Sequence, residues 1–258
     1  MGTGDENPEA TPARLATTGA VPPAQPPLAI VLASLHTVGT ALALLATTQL
    51  DRLRTACPSH TPLADLSVTE WPSFATPQRL WRARTQPAYC RRALATARLR
   101  LHAVANVPVN DGCGLKNEIR VERGAVSLSS SFLATCPLAV ASAMFERHVA
   151  APAARKVFGT TLRSMKHVGS YACRNTAGRV QRSDHATAQA DDLTAITFAD
   201  SWRIRVANIG NSNTEDFRFL CAMHDGADRY FIPLRGSDYN RQHADHIHFA
   251  AGGFMACR

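Results

Sequence analysis

The sequence predicts an α+β domain, a small antiparallel sheet flanked by helices, over residues 87–258, with an N-terminal hydrophobic segment ahead of it. Three observations carry that prediction. Strand-like and helix-like runs interleave without a regular strand–helix–strand rhythm, which argues against a parallel sheet. Apolar residues make up 45% and charged residues 19% of the 258-residue chain, ordinary values for a chain that buries a core. Seven cysteines (Cys57, Cys90, Cys113, Cys136, Cys173, Cys221 and Cys257) are spread over the part expected to fold. None makes a C-x-x-C pair, so a cysteine zinc ribbon or thioredoxin-like motif is disfavoured. The spread suggests disulfide staples and an oxidising compartment, against the competing reading of buried thiols in a cytosolic protein. An odd count leaves at least one thiol outside any bridge within the monomer.

Residues 1–26, rich in Pro, Ala, Thr and Gly, read as a disordered segment. Residues 27–50 are the hydrophobic segment. No charged residue falls between Leu28 and Leu50, a run long enough to cross a bilayer as a transmembrane helix. A cleaved export signal with a long leader is the close alternative, and a buried core helix the third. Arg52 and Arg54 after the segment, with net acid before it, point the domain toward the cytoplasm by the positive-inside rule. The cysteines point outward, and large domains translocate despite flanking charge. The expectation is a single-pass cell-membrane protein with its C-terminal domain on the periplasmic or extracytoplasmic side, or an exported protein after signal cleavage. Residues 51–86, with Pro58, Pro62, Pro72 and Pro77, read as a linker or an irregular wrap.

Pro87 suits a helix start, and Cys90, Leu94, Ala97 and Leu101 follow at helical spacing. Asn110-Asp111-Gly112 signals a turn. Ile119–Val121 and Val126–Leu128 read as a hairpin. A helix follows Thr135, with Pro137 in its first turn, to about His148, and Pro152 opens another. Leu193–Phe198 and Trp202–Val206 look like strands. Asn213 starts a helix with Phe217, Leu220, Cys221 and His224 on one face, ending at Gly226. Tyr230–Leu234 and His246–Ala250 are the final strand candidates.

The formal net charge is +8, and residues 51–258 alone carry 27 basic and 17 acidic residues. That balance favours anionic surroundings. No block of like charges and few interleaved aromatics appear, so a nucleic-acid partner is not expected.

Two local patterns bear chemistry. Ser183-Asp184-His185 runs on to Asp191-Asp192, and His243-Ala244-Asp245-His246-Ile247-His248 lies near the C-terminus. In a strand, His246 and His248 share a face. Two imidazoles there, with a distant His and carboxylate, suit zinc held by three protein ligands with one open position. The alternatives are ordinary core or surface histidines and an exposed metal-scavenging tract.

Gly169-Ser170-Tyr171-Ala172-Cys173-Arg174-Asn175, Ser183-Asp184-His185-Ala186 and Tyr239 to His248 resemble the bacterial extensin-like protein C-terminal family. So do Gly112-Cys113-Gly114, Thr135-Cys136-Pro137-Leu138-Ala139 and Ala151-Pro152-Ala153-Ala154, and the likeness runs from about Cys90 to the C-terminus. That family is similar to the zinc peptidoglycan hydrolases, which include D-Ala-D-Ala carboxypeptidases and murein endopeptidases. Their pattern is Ser-x-His-x-x-Gly-x-Ala-x-Asp followed by a late His-x-His. The resemblance implies Zn2+ on His185, Asp192 and His248, with His246 as catalytic base and His243 as an auxiliary residue. It implies for Arg174 a role in holding a substrate carboxylate or stabilising the oxyanion.

The chain departs from the pattern in places. Ala188 stands where the pattern has Gly, so a positive φ there would be strained. Asp191 adds a second carboxylate beside Asp192. Ala250 replaces an Asp common in the family, which would remove a carboxylate that orients a ligand. Asp228 stands where a family Cys is usual, with Cys221 earlier. The expected function is an envelope-facing, zinc-dependent peptidoglycan peptidase acting on cross-links or stem peptides. Its partners would be peptidoglycan or another anionic cell-wall polymer, and the membrane through residues 27–50. The alternative is a non-catalytic cell-wall-binding or structural zinc domain.

Overall fold

The computed structural model describes residues 28–56, 63–176, 178–208, 214–231, 234–235 and 245–251. The disordered segment expected at 1–26 lies outside them. The chain divides into two units, residues 1–50 and 51–258, each taken by itself.

Helix α1 (Leu28–Ala56) begins in the first unit. The hydroxyls of Thr37, Thr40, Thr47 and Thr48 donate to carbonyls three or four residues back, the usual way a helix satisfies threonine. Leu32, Leu35, Val38, Leu42, Leu44 and Leu45 are exposed. Among the described residues no helix is long and apolar enough to cross a membrane. The segment expected at 27–50 falls in this longer helix, and the expected transmembrane anchor finds no support; His36, Gly39 and the threonines dilute its apolar character.

The second unit is a mixed α+β domain. Helices α2 (Thr76–Thr85) and α3 (Pro87–Ala95) are separated by Gln86 alone. Gln86 is extended (φ −125°, ψ 97°) because it precedes Pro87, which bars it from the helical region and opens α3 in the same step. Part of the stretch expected as linker is therefore structured. Leu66, Val68, Leu80 and Ala83 enter the core, and Pro77 sits in the first turn of α2 rather than breaking a chain.

Strands β1 (Arg100–Ala103), β2 (Val107–Asn110), β3 (Cys113–Leu115), β4 (Ile119–Arg123), β5 (Ser127–Leu128) and β6 (Phe132–Ala134) follow. The β2–β3 turn bears out its signal: Asp111 (φ 49°) and Gly112 (φ 74°) both take the left-handed conformation that a two-residue hairpin needs. The expected hairpin at 119–128 does not form. β4 instead lies between β1 and β6, and β5 pairs in parallel with β7 (Leu162–His167). Leu101, expected on the α3 face, is on β1.

Thr135 caps α4 (Cys136–Phe145), its hydroxyl accepting from Leu138 N at 3.3 Å. A π turn (Glu146–Ala150) carries the chain into α5 (Ala151–Phe158). The wider turn lies just ahead of Pro152, whose ring would otherwise meet the carbonyl of His148 in a regular helix. The principal sheet runs β10-β11-β8-β7-β5, with β9 (Arg203–Arg205) also on β8 (Ala190–Phe198). β11 (Ile247–Ala250) covers the start of β8 and β9 its end, while β10 (Leu234–Arg235) pairs with β11.

Helix α6 (Glu215–Ala227) packs against α5 and the π turn, with Phe219 reaching Phe198 of β8. Its buried face is Phe219, Leu220, Met223 and Ala227, rotated from the expected Phe217–Leu220–Cys221–His224 stripe. The Phe198 ring decides the rotation, meeting Phe219 at 5.3 Å and Phe158 at 4.9 Å between centroids. Disulfides join Cys90 to Cys136 and Cys113 to Cys173. Cys221 is half-buried on α6, and Cys57 and Cys257 lie outside the described residues.

Candidate metal centre

His185 is delivered by a tight loop. Ser183 is extended (φ −71°, ψ 153°), and its hydroxyl accepts from His185 N, starting the 3-10 turn Asp184–Thr187. Ala188 ends the turn in the left-handed region (φ 51°), the conformation that the departure from Gly made costly, at roughly 1–2 kcal/mol. The loop is tied down from three sides. Ala172 N donates to His185 O and Thr135 N to Ala188 O, each at 3.0 Å. Arg182 donates through Nε to Asp111 O and through Nη1 to Asn175 Oδ1 at 2.8 Å. The Cys113–Cys173 bridge fastens the segment ahead of the motif to β3. Gly114 makes this layering possible, since a Cβ there would lie 2.7 Å from the Val109 backbone. The Gly-Cys-Gly and Thr-Cys-Pro motifs thus both support the His185 loop.

Asp192 and His248 come from register. β8 and β11 are antiparallel with His248 directly opposite Asp192, so both side chains fall on one face of the sheet. His185 Nε2 lies 3.2 Å from Asp192 Oδ2 and 3.3 Å from His248 Nδ1, and His248 Nδ1 lies 2.8 Å from Asp192 Oδ1. All three residues are buried, at 2%, 6% and 6% exposure. Burial opposes the charge on Asp192, but the hydrogen bonds and charge of His185 and His248 outweigh it and hold the carboxyl below the usual range. Burial likewise opposes charging His248, and Asp184 and Asp192 outweigh it, raising that imidazole.

These three can hold a metal ion: one donor atom from each lies within 4.8 Å of the others. Four tetrahedral ligands about 2.0–2.2 Å from zinc stand roughly 3.3–3.6 Å apart. Two of the three observed separations nearly match that range, and the shorter third is the hydrogen bond between Asp192 and His248. The donor set, two imidazole nitrogens and a carboxylate, also fits zinc.

Around the trio, the sequence expectations fare differently. His246 reaches it, with Nε2 3.7 Å from Asp192 Oδ1 and Nδ1 2.8 Å from Asp245 Oδ1. Arg174 is exposed, and no hydrogen bond or ion pair joins its guanidinium to the trio among the described residues; its carbonyl accepts from Ser183 N. His243 lies outside the described residues. Ala250 faces Ala190 across the sheet, so no carboxylate stands there. Asp184, not among the expected site residues, approaches His248 instead, Oδ2 to Nε2 at 4.0 Å. Its position next to His185 in the motif was the available signal.

The role of Asp191 is also resolved. Side chains alternate along β8, so Asp191 faces the core opposite Phe249. There its Oδ1 lies 3.4 Å from Nδ1 of buried His167, whose Nε2 lies 2.8 Å from Ser130 O. Burial disfavours the charged imidazole, yet Asp191 raises its pKa on balance. No local pattern announces His167, because its partner is 24 residues away across the β7–β8 ladder.

The fold and site define an α+β domain with a buried His–Asp–His trio set on an antiparallel sheet. The family model described as Extensin-like protein C-terminus matches residues 88–258, and the chain belongs to that family. No curated protein and no solved structure matches it.

Proposed function

We propose that this chain is an envelope-facing, zinc-dependent peptidase of peptidoglycan, hydrolysing peptide cross-links or stem peptides. The observation that carries the reading is the buried convergence of His185 Nε2, Asp192 and His248 Nδ1. Zinc held there would polarise an amide carbonyl and lower the pKa of a bound water toward neutrality. His246, beside Asp192 and braced by Asp245, is placed to accept a proton at Nε2. Two disulfides support an oxidising, extracytoplasmic setting. The full chain, assayed on muropeptides with and without chelator, tests this. Chelation and His185→Ala should each abolish product, and product surviving both rejects the mechanism.

A second reading, a structural or wall-binding zinc domain without hydrolysis, is favoured by how deeply the trio is enclosed. Catalytic zinc needs an accessible fourth position. Stoichiometric zinc with sacculus binding and no cleavage would select this alternative.

A further inference from the structure

A cavity of about 670 Å³ lies where α3, β4 and the start of α4 meet the Ala188–Gln189 turn. None of its lining residues belongs to the His–Asp–His trio, and His246 is not among them. Its size is that of small-molecule sites, roughly 300–1,000 Å³. Among the described residues three cations line it: Arg84, Arg91 and Lys116. Arg84 is engaged, its guanidinium donating to Tyr230 O at 3.3 Å. Arg91 and Lys116 are exposed, and among the described residues no hydrogen bond or ion pair engages their side chains.

The acid in the lining, Glu118, is 5% exposed and takes the backbone N–H of Lys116. Burial pushes its pKa up to about 7, so it offsets little of the cationic charge below neutrality. Leu94, Val104, Ile119 and Pro137 supply apolar walls. Pro87 and Pro137 occupy the first turns of α3 and α4, which removes N–H donors from the helix ends where a bare phosphate would otherwise be held. An oxyanion carried on an apolar, amide-bearing body matches the lining better. We infer that this cavity binds a short peptide through its free carboxylate, with Arg91 and Lys116 holding the anion.

Its rim also belongs to the loop between His185 and Asp192. Thr135 N donates to Ala188 O, and Ala251 N to Gln189 O at 3.0 Å. The inference rests on the peptidase reading only in taking a wall-type peptide as ligand, and it requires no hydrolysis.

The test is calorimetric titration of the full chain, stripped of metal, with N-acetyl-Ala-Ala-Ala as free acid, as amide, and with inorganic phosphate. The acid should bind, and the amide at least tenfold more weakly. The exposed double variant Arg91→Gln/Lys116→Gln should lose at least tenfold in affinity with an unchanged melting curve. No binding of the acid, equal binding of acid and amide, or an unaffected double variant overturns the assignment. Phosphate binding as tightly as the acid overturns the peptide as ligand. A wild type without zinc or hydrolysis sinks the peptidase reading while leaving every one of these outcomes readable.

Discussion

Asp191 and Asp192 are adjacent in sequence and have opposite surroundings in the fold. Asp192 faces the loop-covered side of the sheet and meets two imidazoles within 3.2 Å. Asp191 faces the core and meets one imidazole at 3.4 Å. The strand's two-residue period alone separates them. The difference teaches that a carboxylate–imidazole contact is no signature of a metal site by itself. The convergence of three donor groups on one side distinguishes Asp192, whereas Asp191 is one half of an ion pair among aromatics.

Four measurements would break or sharpen that contrast. The largest effect should come from Asp192→Ala, which should lower zinc affinity by roughly a hundredfold or more, beyond what loss of an outer partner does. Metal analysis after native purification would read it, and zinc retained at wild-type stoichiometry would remove Asp192 from the ligand set. Asp191→Ala should instead leave zinc bound and destabilise the fold by up to about 3 kcal/mol, because the buried His167 loses its carboxylate neighbour. Urea denaturation would read that loss. A shift in zinc content with unchanged stability would reverse the two roles.

Next comes Glu146, which lines the same small core cavity as Asp191 and His167. Burial raises its pKa from 4.5 to about 7, against the hydrogen bonds it accepts from Val126 and Ala125 N–H. A raised carboxyl pKa means that folding favours the protonated form. The contribution is therefore intact below pH 4.5, is lost as pH rises toward 7, and is fully gone above it. The loss is roughly 3 kcal/mol. Glu146→Gln should flatten that part of the stability profile, and an unchanged slope would contradict the assignment. The smallest effect is Ala188→Gly on the loop side. Relief of the left-handed strain should stabilise by about 1 kcal/mol or less, since Gly also has more freedom to lose on folding. A clear loss of melting temperature would count against the strain.

The legible parts of this chain were those written locally. Strand alternation, a short-range matter, put His246 and His248 on one face, whereas His185, Asp192 and His248 as a ligand set came from the family resemblance. The β2–β3 turn was legible as a short-range signal too. The parallel pairing of β5 with β7 was not, since it brings Leu128 to Met165 across 37 residues while the intervening residues resemble an ordinary hairpin turn. The Pro-rich stretch before Pro87 looked like linker because proline serves both helix starts and loops. The buried face of α6 was misjudged by about one residue's rotation, which only the position of Phe198 could settle. Gly124 carried a hidden signal: a Cβ there would run into the Glu146 carboxylate, so the glycine marks the place where a buried acid docks.

The Cys113–Cys173 bridge has a consequence for how the trio could be taken apart. It closes a span of 60 residues and so restricts the unfolded chain by about 4 kcal/mol. That restraint acts on the segment leading to His185, whereas Asp192 and His248 are presented by a hydrogen-bonded ladder. Thiol reductants and chaotropes therefore attack different thirds of one constellation. Under mild reduction a two-residue remnant, Asp192 facing His248, would outlast the third member.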